Sequence, residues 1–190
     1  MNKPLFLFVG KSASGKTSAV EKLEELSYNS LQSYTTRAPR YDGEPGHIFI
    51  SDEEFDKLDH IVAYTEYNGK RYCATKEQID ETDLYVVDPL GVEALLKNYD
   101  TERPICIFYF DASVFNRINR MIDRGASDLE IISRLLTDEK SDWEADLGHL
   151  VWIYGKTPNK DVQLYKINAN YSKSQVMDQV LYYMNKYMED

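Results

Sequence analysis

The chain has 190 residues, 43% of them hydrophobic and 28% charged, a balance typical of a globular protein and not of a disordered one. Its 22 basic against 32 acidic side chains give a net charge of -10. That is the wrong sign for a broad phosphate-neutralising face, so no nucleic-acid polymer is expected as a partner, although a small basic pocket for one phosphorylated ligand is compatible with it. The length suits one domain, or one core with an inserted lobe. Cys73 and Cys106 are too few and too scattered for a disulfide framework or a zinc site, and suggest reduced thiols in a cytoplasmic protein. No segment approaches the ~20 apolar residues of a membrane span. The opening Met1-Asn2-Lys3-Pro4, followed by Leu5 to Val9, is too short an apolar run for a signal peptide, so neither membrane nor export is expected.

Along the chain, Leu5-Phe6-Leu7-Phe8-Val9 is a continuous apolar run closed by a glycine, the pattern of a strand buried on both faces of a parallel sheet. Ala19, Val20, Leu23 and Leu26 then recur at helical spacing among charged residues. The stretch from about Ser30 to Thr82 breaks the rhythm. It holds a turn-rich segment from Arg37 to Gly46 and an Asn68-Gly69 pair between Tyr67 and Lys70, a strong hairpin signal, and reads as a small inserted lobe. Further buried strands are expected at Leu84 to Val87, Ile105 to Phe110 and Tyr165 to Ile167. Helices are expected at about Ser113–Arg124, Asp128–Asp142 and Ser172–Met188, the last with Val176, Val180, Met184 and Tyr187 on one stripe. Strands alternating with helices imply right-handed crossovers and a parallel α/β sheet. The 15 tyrosines, without a basic surface, read as core and half-buried positions and not as a base-stacking platform.

Gly10-Lys11-Ser12-Ala13-Ser14-Gly15-Lys16-Thr17 fits G-x-x-x-x-G-K-[ST], placed after a buried strand and before an amphipathic helix. Glycines allow successive backbone N–H groups to turn onto phosphate oxygens, and the following helix N-terminus adds positive potential. Gly10, Ser12, Ala13, Ser14, Gly15 and Ser18 are therefore candidate contacts for the phosphates of ATP. Lys16 is placed to reach the β/γ-phosphates and the Thr17 hydroxyl to hold Mg²⁺. A plain strand-to-helix connection is the competing structural reading.

Downstream, Ser33-Tyr34-Thr35-Thr36-Arg37-Ala38-Pro39-Arg40 puts two guanidiniums three residues apart in a proline-stiffened loop. Arginine suits bidentate phosphate capture, and solvated surface charge is the alternative. Together with the phosphate loop, this T-T-R-x-P-R segment resembles the acceptor site of the guanylate kinase family. The resemblance runs from Leu5 to about Asn168. It includes Tyr67-Asn68-Gly69, Tyr72, Asp88-Pro89-Leu90-Gly91-Val92, and Arg120, Arg124-Gly125 and Arg134-Leu135, which look like that family's lid.

The resemblance implies a three-layer phosphate-loop core with a parallel β-sheet flanked by helices, a nucleoside-monophosphate lobe and a helical lid. All would lie within one domain over 1–190: core 1–30, 83–118 and 145–190, lobe 31–82, and lid 119–144. By the same resemblance, Arg37 and Arg40 would grip the acceptor phosphate with Tyr72 assisting, and Ser33 and Asp88 would face the base. Arg120, Arg124 and Arg134 would join Lys16 in neutralising the transferring group, and Asn168 would lie near the adenine. Phosphoryl transfer needs converging cations more than covalent chemistry, which this set supplies. A charged outer helix face is the alternative for the lid arginines, and a turn residue before Pro89 for Asp88.

The base-reading half departs from that pattern. His47-Ile48-Phe49 stands where Y-x-F is usual, and His47 can still donate to a phosphate. Ala63 replaces the glutamate that accepts from guanine, and Ala74 a serine or threonine, with Glu66 and Thr75 as nearby substitutes. An unpaired guanine edge would cost about 1–3 kcal/mol. The expected activity is therefore transfer from ATP, with Mg²⁺, to a (deoxy)nucleoside monophosphate with altered or relaxed base choice. The alternatives are an inactive binding module on the same fold, and a kinase for a non-nucleotide acceptor. Monomer and homodimer both remain open.

Overall fold

The computed structural model describes residues 3–140, 142–156 and 161–189. In chain order the elements are β1 (Leu5–Val9), α1 (Lys16–Glu24), β2 (Ser33–Thr35), β3 (His47–Phe49), α2 (Asp52–Phe55), β4 (Ile61–Tyr67), β5 (Lys70–Thr75) and α3 (Lys76–Asp80). There follow β6 (Leu84–Val86), α4 (Pro89–Asn98), β7 (Ile105–Asp111), α5 (Val114–Asp123), α6 (Asp128–Asp138), α7 (Trp143–Tyr154), β8 (Val162–Asn168) and α8 (Lys173–Glu189).

The first sheet is parallel, in the order β6-β1-β7-β8. All five residues of β1 are fully buried, because helices cover both faces. Strand alternation sends Phe6 and Phe8 to one side, where they pack with Phe108, Ala19, Val20, Leu23, Val176, Val180 and Met184. Leu5, Leu7 and Val9 face the other side and pack with Val92, Leu95, Leu96, Leu147 and Leu150. The result is a three-layer α/β fold. Three residues of the expected α8 stripe are thus core, while the side chain of Tyr187 lies outside the described residues, as do Met1 and Asn2.

The second sheet, β3-β2-β5-β4, is mixed: β2 pairs parallel with β3 and antiparallel with β5. Its β4–β5 hairpin closes through Asn68 and Gly69, both at positive φ (52° and 66°). This is the twist a two-residue turn needs, and Tyr67 faces Lys70 across it. Ala63 lies opposite Ala74 on this hairpin, both fully buried.

Several helices depart from the sequence expectation, among them the short α2 and α3, which were not anticipated. The helix expected over Asp128–Asp142 stops at Asp138, and a new one begins at Trp143, because the Asp142 carboxylate caps it by accepting from Ala145 N–H (3.2 Å). The apolar spacing Trp143, Leu147, Leu150, Val151, Tyr154 announces α7 in the sequence. Helix α4 was also not anticipated, although Asp88-Pro89 is a good N-cap and first-turn pair, and Asp88 accepts from Gly91 N–H (2.7 Å). Gly91 permits a close approach: a Cβ there would sit 2.4 Å from Val87 Cγ2.

Among the described residues no helix is long and apolar enough to cross a membrane. Cys73 and Cys106 are free and buried, and burial pushes the Cys73 thiol up to about 12.

Candidate active site

The loop between β1 and α1 is built by backbone conformation. Gly15 precedes α1 at φ 105°, and Ala13, a residue with a side chain, is held at φ 59°. Glycine adopts positive φ freely, whereas for Ala13 the conformation costs energy that the surrounding loop must offset. Gly10 is required by close approach: a Cβ would meet Phe110 O at 2.7 Å and Ser14 Oγ at 2.8 Å.

Lys16 Nζ donates to Gly10 O (2.6 Å), Lys11 O (3.0 Å) and Ser14 Oγ (3.2 Å), folding back over the loop. Burial lowers its pKa to about 8. The Asp138 carboxylate opposes this, and Arg117, Arg124 and Arg134 add to it. Thr17, in the first turn of α1, is solvent-exposed.

Two cavities meet this loop. One, of about 400 Å³, is bounded by Gly10, Ser12 and Lys16 on the loop side and by Arg37, Arg40, Tyr72, Asp88 and Arg134 opposite. The other, of about 640 Å³, is bounded by Ser14, Gly15, Ser18, Arg120 and Arg124, with Lys22, Tyr171 and Met177. Residues from distant parts of the chain therefore converge on the loop between β1 and α1. Ala13, Thr17, Ser33, His47, Thr75 and Asn168 line neither cavity.

The arginine pair is pre-organised by a residue the sequence reading passed over. Glu44 accepts from Arg37 Nη1 (3.0 Å) and Nη2 (2.8 Å), from Arg40 Nη1 (3.0 Å) and from Arg40 N–H (2.7 Å). Its side chain is 6% exposed. Burial alone would raise its pKa, but the bonds from Arg37 and Arg40 hold it down at about 2. The signal was available: a glutamate in a short Asp-Gly-Glu-Pro-Gly loop beside two arginines.

His47 Nδ1 lies 2.9 Å from Ser33 Oγ, and its ring meets Tyr72 edge-on. Burial, with Arg37 nearby, drops its pKa to about 4, so His47 is neutral at neutral pH and not a variable charge.

At the smaller cavity, Asp88 does two jobs: it caps α4 and accepts from Thr65 Oγ1 (2.8 Å). Burial pushes its pKa up, against these bonds. Thr65 lines the cavity from the strand face that carries Ala63, two residues away, so period-two alternation could have found it. Neither suggested substitute reaches this space. Glu66 is exposed and paired in register with Arg71, while Thr75 caps α3 in a capping box with Gln78.

The three arginines expected to neutralise the transferring group differ. Arg120 is committed to backbone oxygens, donating to Ala13 O (3.2 Å), Ser14 O (3.1 Å) and Ala169 O (2.6 Å), and so ties the loop to the end of β8. Arg124 is exposed at the larger cavity. Arg134 pairs with Glu130 (2.6 Å) at the edge of the smaller one. Asn168 accepts from Asn170 N–H (3.1 Å) and shapes the turn after β8. Arg117 is 1% exposed and ion-paired to Asp138.

Among the described residues no group of three or more His, Cys, Asp or Glu side chains is placed to hold a metal ion. Mg²⁺ retains waters and needs only one or two protein oxygens beside substrate phosphates. Thr17, exposed in the first turn after the loop, offers one hydroxyl oxygen of that kind.

A parallel sheet with helices on both faces, and a tight loop between its first strand and first helix, make up a three-layer α/β architecture. Among solved structures the chain is similar to the guanylate kinase from Anaplasma phagocytophilum, with TM-score 0.62 and 16% identity over 98% of this chain and 86% of that one. The sequence matches no protein-family model and no curated protein.

Proposed function

We propose that the protein is a nucleoside monophosphate kinase that transfers the γ-phosphoryl group of ATP to a (deoxy)nucleoside monophosphate, and that its base choice has moved away from guanine. One observation carries this reading: Lys16, Ser12, Arg37, Arg40 and Arg134 border one cavity of about 400 Å³, so groups for two phosphates face each other across it. The architecture of the guanylate kinase neighbour supports the same reaction class.

Here residues 1–30, 83–118 and 145–190 act as core, 31–82 as acceptor lobe and 119–144 as lid. Lys16 and the loop N–H groups bind the donor phosphates. Ser18, Arg124 and Asn168 complete the donor side, and Arg120 fixes the loop. Arg37, Arg40 and Tyr72 bind the acceptor phosphate, while Glu44 fixes the arginine forks in advance. Ser33 sets the position of His47, and Asp88 and Thr65 present an acceptor and a hydroxyl to the base. Arg134 supplies positive charge where negative charge gathers in transfer, the main demand of this chemistry. Mg²⁺, held through Thr17 and phosphate oxygens, would add charge neutralisation.

With Ala63 and Ala74 packed together in the core, no glutamate faces the guanine edge from that position, which weakens guanine preference about ten- to hundred-fold by the loss of its hydrogen bonds. The test is ADP release with ATP and Mg²⁺ over the eight common ribo- and deoxynucleoside monophosphates, beside an Arg37→Ala protein. Turnover on several bases, lost with Arg37, is expected. Turnover on GMP or dGMP alone overturns the altered base choice. ATP binding without turnover points to a binding module, and turnover only on an acceptor lacking phosphate overturns the acceptor assignment.

A further inference from the structure

The last turn of α6 reaches into the phosphate loop. Ser12 N–H donates to Asp138 Oδ2 (2.8 Å), and the Ser12 hydroxyl to Oδ1 (3.3 Å). Arg117 Nη2 donates to the same Oδ2 (2.9 Å), and Arg117 Nε to Ser12 O (3.1 Å). The Ser12 peptide is thus held at both its N–H and its carbonyl. Beside it, Glu139 pairs with Lys11 (2.6 Å) and with Arg117 Nη1 (3.0 Å). Asp138 is 1% exposed and borders the smaller cavity together with Lys16.

A carboxylate held by a loop N–H, a hydroxyl and a guanidinium has the charge and the partners of a phosphate oxygen. A triphosphate arriving at this loop competes for the Ser12 N–H and meets a buried negative charge. Lys16, turned onto its own loop carbonyls, is satisfied internally in the same state.

We propose that Asp138 is an internal counter-anion of the phosphate loop. It occupies the loop in the nucleotide-free chain and leaves Ser12 when a triphosphate binds, so that donor binding releases the last turn of α6 and with it the position of Arg134. The inference rests on the reading of this loop as a triphosphate site. It differs from a loop-shaping role in sign: a shaping residue aids binding, whereas a counter-anion opposes it.

The test is titration calorimetry of the full chain and of Asp138→Asn with Mg·ATP and, separately, with inorganic tripolyphosphate. Asparagine keeps an acceptor for Ser12 N–H but removes the charge. The expected result is at least tenfold tighter binding of both probes by the variant. Equal or weaker binding overturns the inference while leaving the triphosphate site in place. Absence of binding of either probe to both proteins overturns the site and the inference together.

Should the variant fail to fold, hydrogen exchange on the wild-type chain decides. Faster exchange of residues 134–140 on saturation with Mg·ATP supports release of the turn, and unchanged or slower exchange there overturns it.

Discussion

Arg117 and Asp138 form an ion pair at 2.9 Å in which each side chain is 1% exposed. A pair this deeply buried contributes little net attraction over apolar residues of equal volume, but losing one member leaves an uncompensated charge. Arg117→Met is expected to destabilise the fold by about 3–5 kcal/mol, and Arg117→Met with Asp138→Leu to recover much of that. Urea denaturation of the two single variants and the double variant measures the coupling. Additive losses would mean that the pair does not act as a unit.

Lys16→Met removes the ammonium that bridges the loop carbonyls and would face the donor phosphates. Turnover is expected to fall about 10²–10³-fold, with ATP binding weakened as well. Measuring the melting temperature alongside separates lost chemistry from a loosened loop, since the same ammonium bonds Gly10 O and Lys11 O.

Glu44 gives a pH signature. Its carboxyl titrates at about 2 when folded against an ordinary 4.5, so it binds protons more readily when unfolded. Its stabilisation is complete above about pH 4.5 and is lost as pH falls through about 2. Glu44→Gln is expected to cost about 2 kcal/mol at pH 7, between the values of exposed and buried pairs. The gap to wild type should close on acidification across that window. A gap independent of pH would assign the loss to packing.

His47 titrates at about 4, below the ordinary 6.5, because burial and Arg37 disfavour its charged form. A proton NMR titration should find its ring resonances flat from pH 8 to 5.5 and moving only below that. In Arg37→Ala the midpoint should rise. A midpoint near 6.5 in the wild-type chain would show the ring open to water.

The alternation of apolar strands and amphipathic helices made the layered core readable, because burial of β1 on two faces leaves a continuous apolar run. The closeness of Arg37 and Arg40 was readable for a related reason: they lie three residues apart, and both border the smaller cavity. Asp138 was not legible. Its partners Ser12 and Arg117 are 126 and 21 residues away, and nothing in a helix-end aspartate distinguishes a buried counter-charge from a solvated one. Glu44 and Thr65 lay within reach, one beside the arginines it pairs with and the other two residues from Ala63 on the same strand face. The break between α6 and α7 was hidden because charged residues continue through it, and only the capping role of Asp142 divides the two helices.

The hydroxyl of Thr137 lies 3.1 Å from the Asn68 side chain at the tip of the hairpin, one residue before the aspartate that holds Ser12. A helical turn is stiff, so these two contacts share a single lever. Tilting the end of α6 away from the phosphate loop also lifts it from the hairpin. A tilt of this turn would therefore loosen the phosphate loop and the hairpin together.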